Sequence, residues 1–148
     1  MRVRAWLCAS GLVAAAAVGA QAPVPVVPIR STAAVPHDPD DAAIWVHQGD
    51  AARSLILGTD KIAGTGGLFV FGIDGTLRQT ITPLDRPNNV DVEYAVSSPD
   101  GPIDIAVVTE RMRHRLRVFR IARDGSGLVD IAPQGVPVLA GQTGPAGE

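Results

Sequence analysis

Three carboxylates, Asp38, Asp40 and Asp41, fall within four consecutive residues. Hard oxygen donors without accompanying Cys suit Ca²⁺, which takes roughly six to eight oxygens, backbone carbonyls among them. A solvated Asp-Pro turn that starts a strand would use the same residues, so spacing leaves both readings open. An EF-hand loop does not fit, because Asp40 lacks the Gly and Glu required further on. His37, His47 and His114 are too scattered for a zinc site. Two cations follow a Thr-acid pair: Lys61 after Thr59-Asp60, and Arg111 after Thr109-Glu110. Beside bound calcium they would make a polyanion site, Arg gripping phosphate through two parallel hydrogen bonds and Lys acting as a point charge. The alternative for each is a surface ion pair with the adjacent acid.

Arg111, Arg113, Arg115 and Arg117 recur with period two and would share one face of an extended strand. No aromatic residues interleave them to stack on bases, and the net charge is −2, so a solvated strand and loop is expected here instead of a nucleic-acid surface. There is no Gly-x-Ser-x-Gly elbow and no P-loop, and the single Cys8 lies in the leader. If the protein is an enzyme, the expected attacker is a metal-activated water.

The elements that must hold these residues are short strands. Runs near 43–47, 54–59, 68–73 and 77–82 are followed by a second set near 89–96, 103–109, 116–121 and 128–131. Gly66-Gly67, Asp74-Gly75, Pro99-Asp100-Gly101 and Asp124-Gly125 mark turns between them. The sets repeat one pattern. Leu68 to Ile73 matches Leu116 to Ile121, Leu55 to Lys61 matches Ile105 to Arg111, and Asp40 to Trp45 matches Asn88 to Glu93. Four strands per unit at a period near fifty predicts β-propeller blades. Such blades stack on their neighbours because one sheet cannot bury both faces. Equivalent positions then converge on one end of the ring, where Asp40-Asp41 would meet Asn88-Asn89, and Lys61 would meet Arg111. Blade one is expected near 36–84, blade two near 85–132, and the start of a third repeat at 133–148, as though the chain were a fragment.

Composition agrees with an all-β reading. With 46% apolar residues the chain can build a core, which argues against wholesale disorder, and its 12 Asp against 3 Glu favour turns and strand ends over helices. Arg2 and Arg4, the apolar stretch Ala5 to Val18 and the Ala20-Gln21-Ala22 site predict a secretory leader over 1–22, too short to span a membrane. The mature chain is therefore expected outside the cytoplasm, without any cysteine and without a membrane partner. Three prolines between Pro23 and Val35 predict an extended lead-in, or at most an edge strand.

Three ordered motifs resemble the β-propeller phytases, secreted calcium-dependent enzymes that remove phosphates from myo-inositol hexakisphosphate (phytate). Asp40-Asp41-Ala42-Ala43-Ile44-Trp45 departs from the first signature at Ala42, Asn88-Asn89-Val90-Asp91-Val92-Glu93-Tyr94 from the second at Glu93, and Ile103-Asp104-Ile105-Ala106 leads to Glu110-Arg111 where Asn-Arg is usual. The resemblance implies a six-bladed propeller, of which this chain would hold about two blades. It implies calcium at Asp40 and Asp41, assisted by backbone oxygens at Ala42 and Val90, and phosphate held by Lys61 and Arg111. Ile62 replaces a frequent second Lys, and Glu110 would bring a negative charge close to the phosphate. Those departures motivate a rival: a non-catalytic propeller that keeps calcium for structure and binds another extracellular ligand, or an inactive truncated product.

Overall fold

The computed structural model describes residues 23–138. The expected leader and residues 139–148 lie outside the described residues. Strands β1 (Pro39–Trp45), β2 (Leu55–Asp60), β3 (Gly66–Gly72) and β4 (Leu77–Leu84) pair in that order to form one sheet. A second sheet runs β5 (Pro87–Val96), β6 (Ile103–Glu110), β7 (Arg115–Ile121) and β8 (Leu128–Asp130), with β9 (Val136–Pro137) also on β7. Every pairing is antiparallel. Two single-turn 3₁₀ segments, Ala51–Arg53 and Arg111–Arg113, are the helical elements among the described residues. No helix among them is long and apolar enough to cross a membrane.

Side-chain alternation decides how the sheets meet. In the first sheet Trp45 lies opposite Leu55, and Ala43, Leu57 and Val70 face one another across three strands. In the second, Val90 lies opposite Val108, while Val92, Ala106 and Phe119 form the next row. Residues directly opposite share a face, so each sheet presents one apolar side. These two sides form a single buried cluster with Leu55, Leu68, Leu84, Ile121 and Leu128. Fully burying one such side chain stabilises by about 1.5–3 kcal/mol, so the cluster binds the two sheets together as successive propeller blades.

Polar bonds fix their register. The Trp45 indole N–H donates to Asp104 Oδ2 at 2.8 Å, and the Val46 N–H donates to the Tyr94 hydroxyl at 2.8 Å. The Gln79 amide both donates to the Leu128 carbonyl at 3.0 Å and accepts the Leu128 N–H at 2.7 Å. Trp45, Tyr94 and Asp104, which carry much of the motif resemblance, therefore join one blade to the next.

The lead-in has no strand of its own, yet it docks: the Ala33 N–H donates to the Gly75 carbonyl at 2.9 Å. Gly75, at φ 87°, lies so close to the Ser31 carbonyl that a Cβ could not fit. Its counterpart Gly125, at φ 70°, stands in the same relation to the Arg53 carbonyl of blade one. On blade one, the lead-in thus occupies the place that blade one takes on blade two.

The second blade departs from the expected boundary at 132. In the first sheet β4 runs along β3 in one piece. In the second, β8 pairs with Phe119 to Ile121 and β9 with Arg115 and Leu116, so the chain turns between them and residues through Pro137 belong to blade two.

Candidate functional site

One end of the paired blades gathers most of the residues singled out by the repeat. Asp40, the second residue of β1, lies within a register shift between Pro39 and Ala42, where the regular ladder is interrupted. Asp40 Oδ1 accepts from Lys61 Nζ at 2.6 Å, and Oδ2 from Asn88 Nδ2 at 3.3 Å. Asp41 Oδ2 accepts the Val90 N–H at 3.0 Å. The repeat-equivalent pair Asp40 and Asn88 therefore touches across the blades, and Asp41 reaches Val90, one residue past its own counterpart Asn89. The Asn88 Oδ1 is buried and has no hydrogen-bond partner. Beside Asp40 and Asp41, Thr32 and Val35 of the lead-in, Gly58, Thr59 and Phe71 border an open hollow of ≈ 230 Å³.

Lys61 is paired, though not with the neighbouring acid. Consecutive residues of an extended chain point to opposite sides, so Asp60 turns away from Lys61 into the protein. There it is 2% exposed and accepts from His37 Nδ1 at 2.8 Å and the Asp38 N–H at 3.0 Å. The hydrogen bond from Lys61 holds the Asp40 carboxyl below its usual range against the opposing effect of burial. The same bond holds the Lys61 ammonium above its own.

Glu110 corrects an expectation. Its carboxylate is 3% exposed, accepts from Arg115 Nε at 2.5 Å and the Asp85 N–H at 2.9 Å, and has Arg117 Nη1 at 3.8 Å. Burial pushes this carboxyl up, but the Arg115 bond, the Asp85 amide and the two arginine charges hold it below the usual range. Its charge is spent inside the protein and is not presented to a bound phosphate.

The arginine run is corrected for a related reason. Arg111 and Arg113 lie in a 3₁₀ turn, His114 is left-handed at φ 48°, and the strand starts only at Arg115. Arg115 and Arg117 face the same side as Glu110 and Val108, toward the blade interface. Arg117 is 11% exposed, pairs with Asp130 and lies over the Phe119 ring at 5.7 Å. A solvated face does not describe these two.

The link between the blades, Asp85-Arg86-Pro87, was not picked out by motif or repeat. The Arg86 N–H donates to the Ile62 carbonyl at 3.2 Å, and the Arg86 carbonyl accepts the Arg111 N–H at 3.3 Å. Asp85 Oδ1 accepts the Gly64 N–H at 2.7 Å, and Oδ2 accepts from Arg113 Nε at 3.2 Å. This link therefore laces the loop after Lys61 to the turn that carries Arg111. The signal available in the sequence was its placement directly before Asn88.

Among the described residues no group of three or more His, Cys, Asp or Glu side chains stands ready to hold a metal ion. What the rim offers is two adjacent carboxylates, an unused amide oxygen and three cation-bearing segments at one end of a two-bladed stack.

A fold of four-stranded blades with acids and cations converging at one end defines a propeller with a polar, mixed-charge mouth. A family model described as Phytase matches residues 4–142, and the chain belongs to that family. A 3-phytase of Bacillus subtilis (strain 168) is 31% identical over 101 residues, 67% of this chain and 25% of that protein. The chain thus spans about a quarter of the length of this relative.

Proposed function

We propose that the protein containing this chain is an exported, calcium-dependent phosphomonoesterase that acts on phytate, with Lys61 and Arg111 holding phosphate oxygens. Family membership supports hydrolysis of phytate. The observation that carries the site assignment is the linked set of Lys61, Asp40 and Asn88 across the two blades, laced through Arg86 to the turn of Arg111.

The donor set suits calcium in kind. Asp40 and Asp41 would hold it, with backbone oxygens of Ala42 and Val90 and the unpartnered Asn88 Oδ1, all hard oxygen donors. They do not fill a coordination shell of roughly six to eight, so water or further parts of the protein complete it. When bound, the ion supplies charge neutralisation and an oriented water for attack at phosphorus. This chain's own residues bind and orient. Lys61, held by Asp40, places a point charge at the mouth, and Arg111 adds a forked donor.

Phosphate release from phytate by the full-length protein, measured with and without excess chelator, tests this. Lys61→Ala and Arg111→Ala each lower kcat/KM on the order of a hundredfold, Asp40→Ala raises the calcium needed for half-maximal rate, and chelator abolishes turnover. Unchanged activity in these variants or in chelator refutes it.

A further inference from the structure

Resting on that phosphatase reading, we propose that Arg86 is a third cation of the phosphate-binding rim, placed between Lys61 and Arg111 by the link between the blades. Its backbone touches both neighbours' segments, donating to Ile62 next to Lys61 and accepting from Arg111 itself. The conformation is a strained one: Arg86 sits at φ 57° immediately before Pro87. Left-handed backbone is disfavoured for a long side chain, and a following proline pushes the residue before it toward extended backbone. A glycine would occupy this place with less strain. Such outliers persist where the surroundings over-determine them, and they gather at ligand-binding sites.

The state of the guanidinium points the same way. Lys61, Arg113, Arg115 and Arg117 each form a salt bridge to an acid. Among the described residues Arg86 forms none, although it is half-buried. Its charge is felt at both ends of the Asp40–Lys61 pair, favouring the Asp40 anion and opposing the Lys61 cation. Arg86 and Lys61 share one nearby anion, Asp40, so a further anion is favoured beside the two cations. A phosphate group of a polyanionic substrate supplies oxygens that Arg86 can grip in bidentate fashion.

The test uses the full-length protein and two probes, phytate as substrate and inorganic phosphate as inhibitor. In Arg86→Gln, KM for phytate and Ki for inorganic phosphate both rise about tenfold, with a smaller effect on kcat, and Arg86→Lys restores part of the loss. Arg86→Gly removes the charge while relieving the backbone, so it unfolds in guanidinium no earlier than the parent and yet loses the same affinity. If Arg86→Gln and Arg86→Gly keep both constants within twofold while Arg111→Gln raises them, the proposal is overturned and the phosphatase reading stands. Loss of stability in Arg86→Gly with affinity retained also overturns it, since Arg86 would then serve only the fold. A parent protein that neither binds phosphate nor hydrolyses phytate overturns the phosphatase reading and this inference together.

Discussion

Replacing Glu110 by Gln separates a carboxylate that serves the fold from one that faces the substrate. Gln keeps the side-chain shape and an oxygen for the Asp85 N–H at 2.9 Å, and removes the charge between Arg115 and Arg117. The charge-assisted bond from Arg115 is worth about 1.5–3 kcal/mol. Arg117 at 3.8 Å represents about 4 kcal/mol of gross attraction at an effective dielectric constant of about 20. Most of that attraction is offset by the desolvation that a neutral amide escapes. Breaking a buried pair typically costs about 3–5 kcal/mol. Here the figure is lower, because Arg115 is 23% exposed and Arg117 retains Asp130. The expected loss is therefore about 2–4 kcal/mol, read from guanidinium unfolding of the full-length protein, with KM for phytate unchanged. A loss below about 0.5 kcal/mol, the range of ordinary surface substitutions, together with a lower KM, would place the carboxylate against the substrate and refute the reasoning.

Trp45→Phe keeps an aromatic ring at this buried position, smaller than the indole, and removes the N–H that donates to Asp104 at 2.8 Å. It should cost about 1–3 kcal/mol by leaving that carboxylate oxygen without its donor, and an unchanged unfolding midpoint would show that the blades do not rely on this bond. The pH dependence follows from Asp60 and Glu110, both held below their ordinary values in the fold. Their stabilisation is full above the unfolded carboxyl values of about 4 and is lost as pH falls through the lower folded values. Stability measured across that acid range should fall more steeply in the parent than in Glu110→Gln, and identical acid limbs would contradict the assignment.

Most strands were legible because two independent signals coincide in them, alternating apolar residues and turn dipeptides at matching offsets. The split last strand of blade two was not. Val136 to Ala140 has the look of a fresh strand, and only pairing of Val136 and Pro137 with β7 assigns its first residues backwards to the second blade. The arginine run misled for a local reason. A period of two implies a shared face only if the backbone stays extended, and the left-handed turn at His114 carries no glycine to announce it. The ion pair of Lys61 was also hidden, since its partner lies 21 residues back in the chain.

The repeat nevertheless located the rim, for a geometric reason. Successive blades are related by a rotation, so residues one period apart approach each other at the end nearest the axis, as Asp40 and Asn88 do. What the repeat could not divide was labour within the Thr-acid-cation triplet. In both copies the acid turns inward and accepts the N–H of a residue just before its own blade's first strand: Asp60 takes Asp38, and Glu110 takes Asp85. That acid closes the blade, whichever side chain is bonded to it, His37 in one and Arg115 in the other. Because neighbouring side chains alternate, the cation that follows is left at the mouth. Its position is thus a consequence of the clamp beside it, and the chemistry of the rim depends on a buried acid that need never touch substrate.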